Sequence, residues 1–165
     1  MSADWDTLYR DCFPDLVRFL YRKVWDEERA MDLAQEVFVR GLRHQPEKPR
    51  AWLFVTAANL ARDEARKVIR RKRHLALLKA EAEAEETPEP KLVSEEERTQ
   101  VQRALDSLSE RDRDCLLLWD AGLSYDEIAR QTGLSKGAIG TTLARARKRL
   151  VAAYREREEE DVANQ

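Results

Sequence analysis

Apolar residues recur three and four positions apart along most of this chain, the spacing that gathers side chains on one face of a helix. Three such stretches come first, over residues 5–22, 28–43 and 50–73. In the second, Leu33, Ala34, Val37, Phe38 and Leu42 form the inward face, while Asp32, Gln35, Glu36 and Val39 fall at i, i+3, i+4 and i+7 on another. In the third, Leu53, Ala57, Leu60 and Ala61 supply a core stripe, and Trp52, Thr56, Asn59 and Asp63 share a separate one. Trp52 suits burial and exposure equally. Pro46 and Pro49 part the second helix from the third, because proline lacks the backbone donor a helix needs.

The last third of the chain carries a second pattern. Ser124 with Glu127 three residues later is a capping box, which starts a helix at Tyr125. Gly133 stops it, since glycine takes the positive φ found just past a helix end. Ser135 then caps a longer helix running to about Leu150. Ile128, Leu134, Ile139 and Leu143 sit where two crossed helices bury them. Ser109 with Asp112 makes another capping box, opening a helix that ends near Gly122. The pattern as a whole predicts an all-α protein of two small helical domains, 4–75 and 99–155. An acidic linker over 76–98 joins them and an acidic tail follows over 156–165.

Charge sharpens this plan. The net charge is only −2, yet the charges are segregated. Residues 66–73 hold six positive side chains and no negative one, and residues 136–149 hold five basic residues and no acidic one. Between these blocks, residues 79–97 carry eight glutamates against two lysines, and the composition of the tail favours disorder. A short helix bracing a basic one is how a helix-turn-helix sets side chains into the DNA major groove. The plainer alternative is a helical hairpin with a solvated basic face. Likewise Asp32, Gln35 and Glu36, taken alone, read as an ordinary solvated stripe.

Other chemistry is sparse. Cys12 and Cys115 are far apart, lack metal-ligand spacing and have apolar neighbours, so they read as small core side chains rather than redox sensors. His44 and His74 are the only histidines, and neither a phosphate-binding glycine loop nor a nucleophile beside a base is present. The expectation is a non-enzyme without metal or cofactor. No apolar run approaches the roughly 20 residues that span a bilayer, so a cytoplasmic chain without membrane insertion is expected.

Together these segments resemble the extracytoplasmic-function (group IV) sigma factors of bacterial RNA polymerase, members of the sigma-70 family. Residues 32–40, DLAQEVFVR, resemble the family's polymerase-binding segment, and PRAWL at 49–53 continuing to AANLARD at 57–63 resembles its −10 recognition helix. ALDSLSERDR at 104–113 and GLSYDEIA at 122–129 resemble the start of its −35-binding domain and the beginning of its helix-turn-helix. One stretch departs: Gly140, Thr141 and Thr142 stand where family members often carry a cation, which bears on the −35 sequence read.

The resemblance implies sigma region 2 near 4–75, sigma region 4 near 99–155, and roles for each. Asp32, Gln35 and Glu36 would meet the core polymerase. Asn59, Arg62, Asp63, Arg66, Lys67, Arg70 and Arg71 would hold the unstacked single strand of the −10 element. Ser135, Lys136, Thr141, Thr142, Arg145, Arg147 and Lys148 would dock on duplex DNA at −35. It also implies an anti-sigma factor as a partner. The competing reading is an autonomous helix-turn-helix regulator, which explains the last third but leaves residues 32–38, 52–63 and 66–73 without a purpose.

Overall fold

The structure, a computed structural model, describes residues 3–81 and 96–164. Among these residues it is built of α-helices in two lobes: α1 (Trp5–Val24), α2 (Glu27–His44) and α3 (Pro49–Glu81), then α4 (Glu96–Asp106), α5 (Glu110–Asp120), α6 (Tyr125–Thr132) and α7 (Lys136–Ala163).

In the first lobe α1, α2 and α3 pack on one another as a three-helix bundle. Asp4 starts α1 by accepting from the Asp6 and Thr7 amides, and Asp26 starts α2 by accepting from the Arg29 amide. Both helices end in a left-handed residue, Trp25 at φ 54° and Gln45 at φ 50°. Leu16, Leu20, Leu33, Val37, Leu53 and Phe54 are fully buried, and Phe19 meets Phe54 edge-to-face at 5.5 Å between ring centroids. Gly41 is fixed by close approach, since a Cβ there would lie 2.8 Å from the Trp5 ring. Trp52 is half-buried and stacks on His44. Leu42 corrects the sequence reading. It is 49% exposed, on the outer face of α2.

The third helix outruns its bundle. Its first half supplies Leu53, Phe54, Ala57, Ala58 and Ala61 to the core, whereas residues 65–78 are exposed. It continues through Glu81, so the first residues of the expected linker belong to α3. The rest of that linker, with Pro88 and Pro90, lies outside the described residues.

The second lobe packs α4, α5 and α6 against α7 around Leu105, Leu108, Cys115, Leu118, Ile128, Ile139, Leu143 and Ala146. The Ser124–Glu127 box forms as expected, with Ser124 Oγ accepting from the Glu127 amide at 3.2 Å and Glu127 Oε1 accepting from the Ser124 amide at 2.9 Å. Gly133 takes φ 76° and ends α6. At Ser109 only half the box forms. The hydroxyl caps the Asp112 amide at 3.1 Å, but the Asp112 carboxylate turns elsewhere.

Two expectations fail here. Ser135 occupies the cap position of α7, yet its side chain makes no capping hydrogen bond. The acidic tail expected to be disordered is helical, because α7 runs on to Ala163. No proline or glycine interrupts residues 141–163, and each residue added to a formed helix gains a backbone hydrogen bond without a new nucleation cost.

Candidate nucleic-acid interface

On α7 the apolar stripe Ile139, Thr142, Leu143 and Ala146 is buried, and this fixes which side chains face outward. Lys136, Gly137, Thr141, Ala144, Arg145, Arg147 and Lys148 are exposed. Thr142 is therefore a correction. It is 4% exposed and points into the lobe, because its position on the helix falls between Ile139 and Ala146. Thr141 is the threonine left outside.

Most of these cations are held by neighbours in the same lobe. Asp112 is buried, and it draws Arg145 (3.2 Å) and Arg149 (3.5 Å) to its carboxylate. The Arg147 guanidinium lies 4.1 Å from the centre of the Trp119 ring, a cation–π contact. Lys136 pairs with Asp126 at 3.3 Å. Sequence reasoning missed Asp112 and Trp119 as anchors. Asp112 carried a signal that pointed to capping, and the Trp119–Arg147 contact joins separate helices, which helical spacing does not reveal.

The second basic face lies on α3. Asn59 and Asp63 are exposed and Arg62 is half-buried. Arg66, Lys67, Arg70 and Arg71 follow, all exposed and without an ion pair to any described carboxylate. The helix thus brings an amide, a carboxylate and a run of cations onto one rigid rod. At its root, Arg29 of α2 grips Glu64 with two hydrogen bonds of 2.7 Å. The Arg29 guanidinium holds the Glu64 carboxyl below its ordinary range, and Glu64 in turn raises Arg29. This fork braces α3 against α2 where the exposed arm leaves the bundle.

Asn59 and Arg62 also reach the second lobe. The Asn59 carbonyl oxygen accepts from Gln131 Nε2 at 3.0 Å. Arg62 donates to Glu110 and to Asp114, each at 3.2 Å.

Asp32, Gln35 and Glu36 are exposed together on α2, as the spacing predicts. Glu36 pairs with Arg40 at 2.7 Å. Met31, Val39 and Leu42, each 44–49% exposed, lie beside them and give the polar stripe an apolar margin. Leu42 was legible in principle. It follows Met31 by eleven positions, which returns it to the same side of a helix. Cys12 and Cys115 are both buried, and burial pushes the Cys115 thiol up, away from its thiolate form. No described helix is long and apolar enough to cross a membrane.

The two helical lobes coincide with two segments of the sigma-70 class. Family models agree: Sigma-70 region 2 matches residues 8–73 and Sigma-70 region 4 matches residues 98–150. The sigma factor EcfG of Rhodopseudomonas palustris is 32% identical over 84% of this chain and 78% of its own length. SigE of Mycolicibacterium smegmatis is 31% identical over 88% of this chain, which spans 60% of that relative's length. Among solved structures, the sigma factor RpoE bound to the anti-sigma factor NepR, from Bartonella quintana, shares the fold at TM-score 0.64 and 23% identity, over 92% of this chain and 97% of that one. CnrH in complex with the cytosolic domain of CnrY shares it at TM-score 0.62 and 23% identity, over 90% and 85% of the two chains. The chain belongs to the extracytoplasmic-function sigma factors of the sigma-70 family.

Proposed function

We propose that this chain binds core RNA polymerase, recognises a promoter at −35 and −10, and helps to open it. The observation that carries the reading is the placement of two unlike nucleic-acid faces on separate lobes of one chain. In the second lobe Lys136, Thr141, Arg145, Arg147 and Lys148 face outward on α7, and Gly137 and Ala144 between them leave the helix smooth enough to approach a groove floor. Thr141 can set its methyl against thymine or donate to a base. Burial removes Thr142 from this surface, and Ser135 stands at its margin.

In the first lobe, Asn59 offers a donor and an acceptor to an unstacked base, and Asp63 accepts from an exocyclic amine. Arg62, Arg66, Lys67, Arg70 and Arg71 hold the phosphates beside it. Capturing an unstacked base offsets part of the few kcal/mol that opening costs. Asp32, Gln35 and Glu36, with the apolar margin of Met31, Val39 and Leu42, suit a basic surface of the polymerase. Phosphoryl transfer itself falls to the polymerase. One solved relative is bound to an anti-sigma factor and the other to the cytosolic domain of CnrY, and we extend to this chain an anti-sigma partner of its own.

Run-off transcription with core polymerase on a library of randomised −35 and −10 elements tests the reading. Specific transcripts that depend on this chain are the expected result. Tight duplex binding by the chain alone, with no transcripts, would instead identify an autonomous regulator.

A further inference from the structure

We propose that the hollow between α2 and α3 is a binding site for a small polyphosphate, a ligand distinct from the promoter. The site lies on the α2-facing side of α3 and meets the −10 reading above only where the two share cations.

The hollow is a cavity of about 310 Å³, at the lower end of the roughly 300–1,000 Å³ of small-molecule sites. Asn59 takes no part in its lining. Its carboxylates are mostly committed already. Glu64 is held by the two-bond fork from Arg29, and Glu36 pairs with Arg40 at 2.7 Å. Arg66, Lys67 and Arg70 on the α3 wall therefore line the cavity with only Asp63 to offset them, and none of the three has an ion pair to a described carboxylate.

Those three cations are also crowded. Arg66 and Arg70 stand at i, i+4 and Lys67 and Arg70 at i, i+3, where like charges repel along a helix. An anion of two or more charges relieves that repulsion. A guanidinium presents a planar fork that matches phosphate oxygens, and a lysine adds a compact point charge, so this set suits adjoining phosphate groups. The Arg29 fork uses two of five guanidinium donors and leaves the others for a ligand oxygen. Lys67 and Arg71 also help to hold the Glu64 carboxyl low, so their positive field reaches the root of the hollow. Leu33, which is buried, and Leu60, which is half-buried, add an apolar seat for whatever carries the phosphates. On the reading above, a ligand here occupies cations that the −10 strand needs, so ligand and strand exclude each other.

The test is isothermal titration calorimetry of the full chain, in magnesium-free buffer at fixed ionic strength. The probes are inorganic tripolyphosphate, ATP and citrate. Both phosphates should saturate a single site per chain, and citrate should bind about tenfold more weakly, because its carboxylates offer fewer oxygens to each cation. Equal affinity for the two phosphates supports a site for the phosphate chain alone. Tighter binding of ATP supports a site that also seats the nucleoside on Leu33 and Leu60. Lys67→Ala and Arg70→Ala should each weaken tripolyphosphate about tenfold, the loss of one hydrogen bond to a charged group. Lys72→Ala and Arg73→Ala lie on the same arm outside the cavity lining and should change it less than about twofold, since exposed charges are screened. All four side chains are exposed, so each variant keeps the fold.

Equal losses from the two pairs of variants would reduce the effect to general charge and overturn the proposal. Citrate as tight as tripolyphosphate, or no saturable heat, overturns it as well. A fluorescent single-stranded DNA pool separates the site from the promoter reading, because tripolyphosphate should release the strand. If the ligand binds and the strand stays, the −10 role of Arg66, Lys67 and Arg70 falls while the site stands. If no ligand binds, the site falls and the −10 reading is untouched.

Discussion

On the function proposed above, the two lobes display cations to a polyanion in opposite ways. The second lobe ties its cations down: Asp112 holds Arg145 and Arg149, Trp119 holds Arg147, and Asp126 holds Lys136. The first lobe leaves Arg66, Lys67, Arg70 and Arg71 exposed on a helical arm beyond its core, with no ion pair to a described carboxylate. A duplex groove has a fixed shape and rewards side chains already in place, because less rotamer entropy is lost on docking. An unstacked strand has no fixed shape, and long unpaired cations can follow it. The difference in order therefore matches the difference in target proposed for the two lobes.

The largest effect to expect separates the two cores. Phe54 is fully buried in the first lobe, and Ile139 is fully buried in the second. Phe54→Ala should cost about 3–5 kcal/mol and Ile139→Ala about 2–5 kcal/mol. If the lobes fold as separate units, calorimetry of each variant will show one transition lowered and the other kept. A single transition lowered equally by both substitutions would make the two lobes one cooperative unit and erase the comparison.

Salt titration addresses the cations directly. Should Lys136, Arg145, Arg147 and Lys148 neutralise roughly four phosphates of a duplex, log K against log salt falls with a slope of about −3.6. Between 50 and 200 mM that is roughly a hundredfold loss of affinity. Arg66, Lys67, Arg70 and Arg71 on a single strand give a slope of about −2.8, since single strands hold fewer condensed ions. Titrating the chain against each form of DNA checks both values. A flat duplex response would remove α7 from the interface, whatever its fold.

The capping serines give a smaller and more local contrast, and they show how far the sequence could be read. Ser124→Ala breaks a formed box and should cost about 1 kcal/mol, whereas Ser135→Ala breaks no bond and should cost a few tenths at most, both measured by urea unfolding. In sequence the two serines looked alike. Whether the hydroxyl reaches an amide depends on the angle at which the chain arrives from Gly133, and no residue type encodes that. Helix identity and the two-lobe plan were legible because periodicity is a local signal. That Asn59 and Asp63 lie exposed on one helix was legible through their spacing. Thr142 was misplaced because its neighbours Gly140 and Thr141 blurred the apolar stripe, and Asp114 went unseen because its partners Lys23 and Arg62 come from the other lobe.

The smallest effect is a divergence with pH, and it separates the lobes by sign. In the first lobe Arg29 lowers the Glu64 carboxyl, so the unfolded chain takes up that proton first as the solution turns acid. The contribution of the fork is complete above the unfolded glutamate value of about 4.3 and is lost as pH falls towards the lowered folded value. Arg29 is 40% exposed, which screens the pair and keeps its contribution within about 1 kcal/mol. In the second lobe burial raises the Cys115 thiol, so the unfolded chain gives up its proton first as the solution turns alkaline. Stability from this group is intact at neutral pH and declines above the ordinary thiol value of about 8.5. Acid should thus weaken the first lobe through Glu64, and alkali the second through Cys115. Melting curves of Glu64→Gln and Cys115→Ala against wild type isolate each term. Glu64→Gln should lose Glu64's share of the acid dependence, leaving that of Asp4, which Thr7 also holds low, and Cys115→Ala should lose the alkaline one; a Cys115→Ala chain that kept the wild-type alkaline decline would mean that another group in the second lobe carries it.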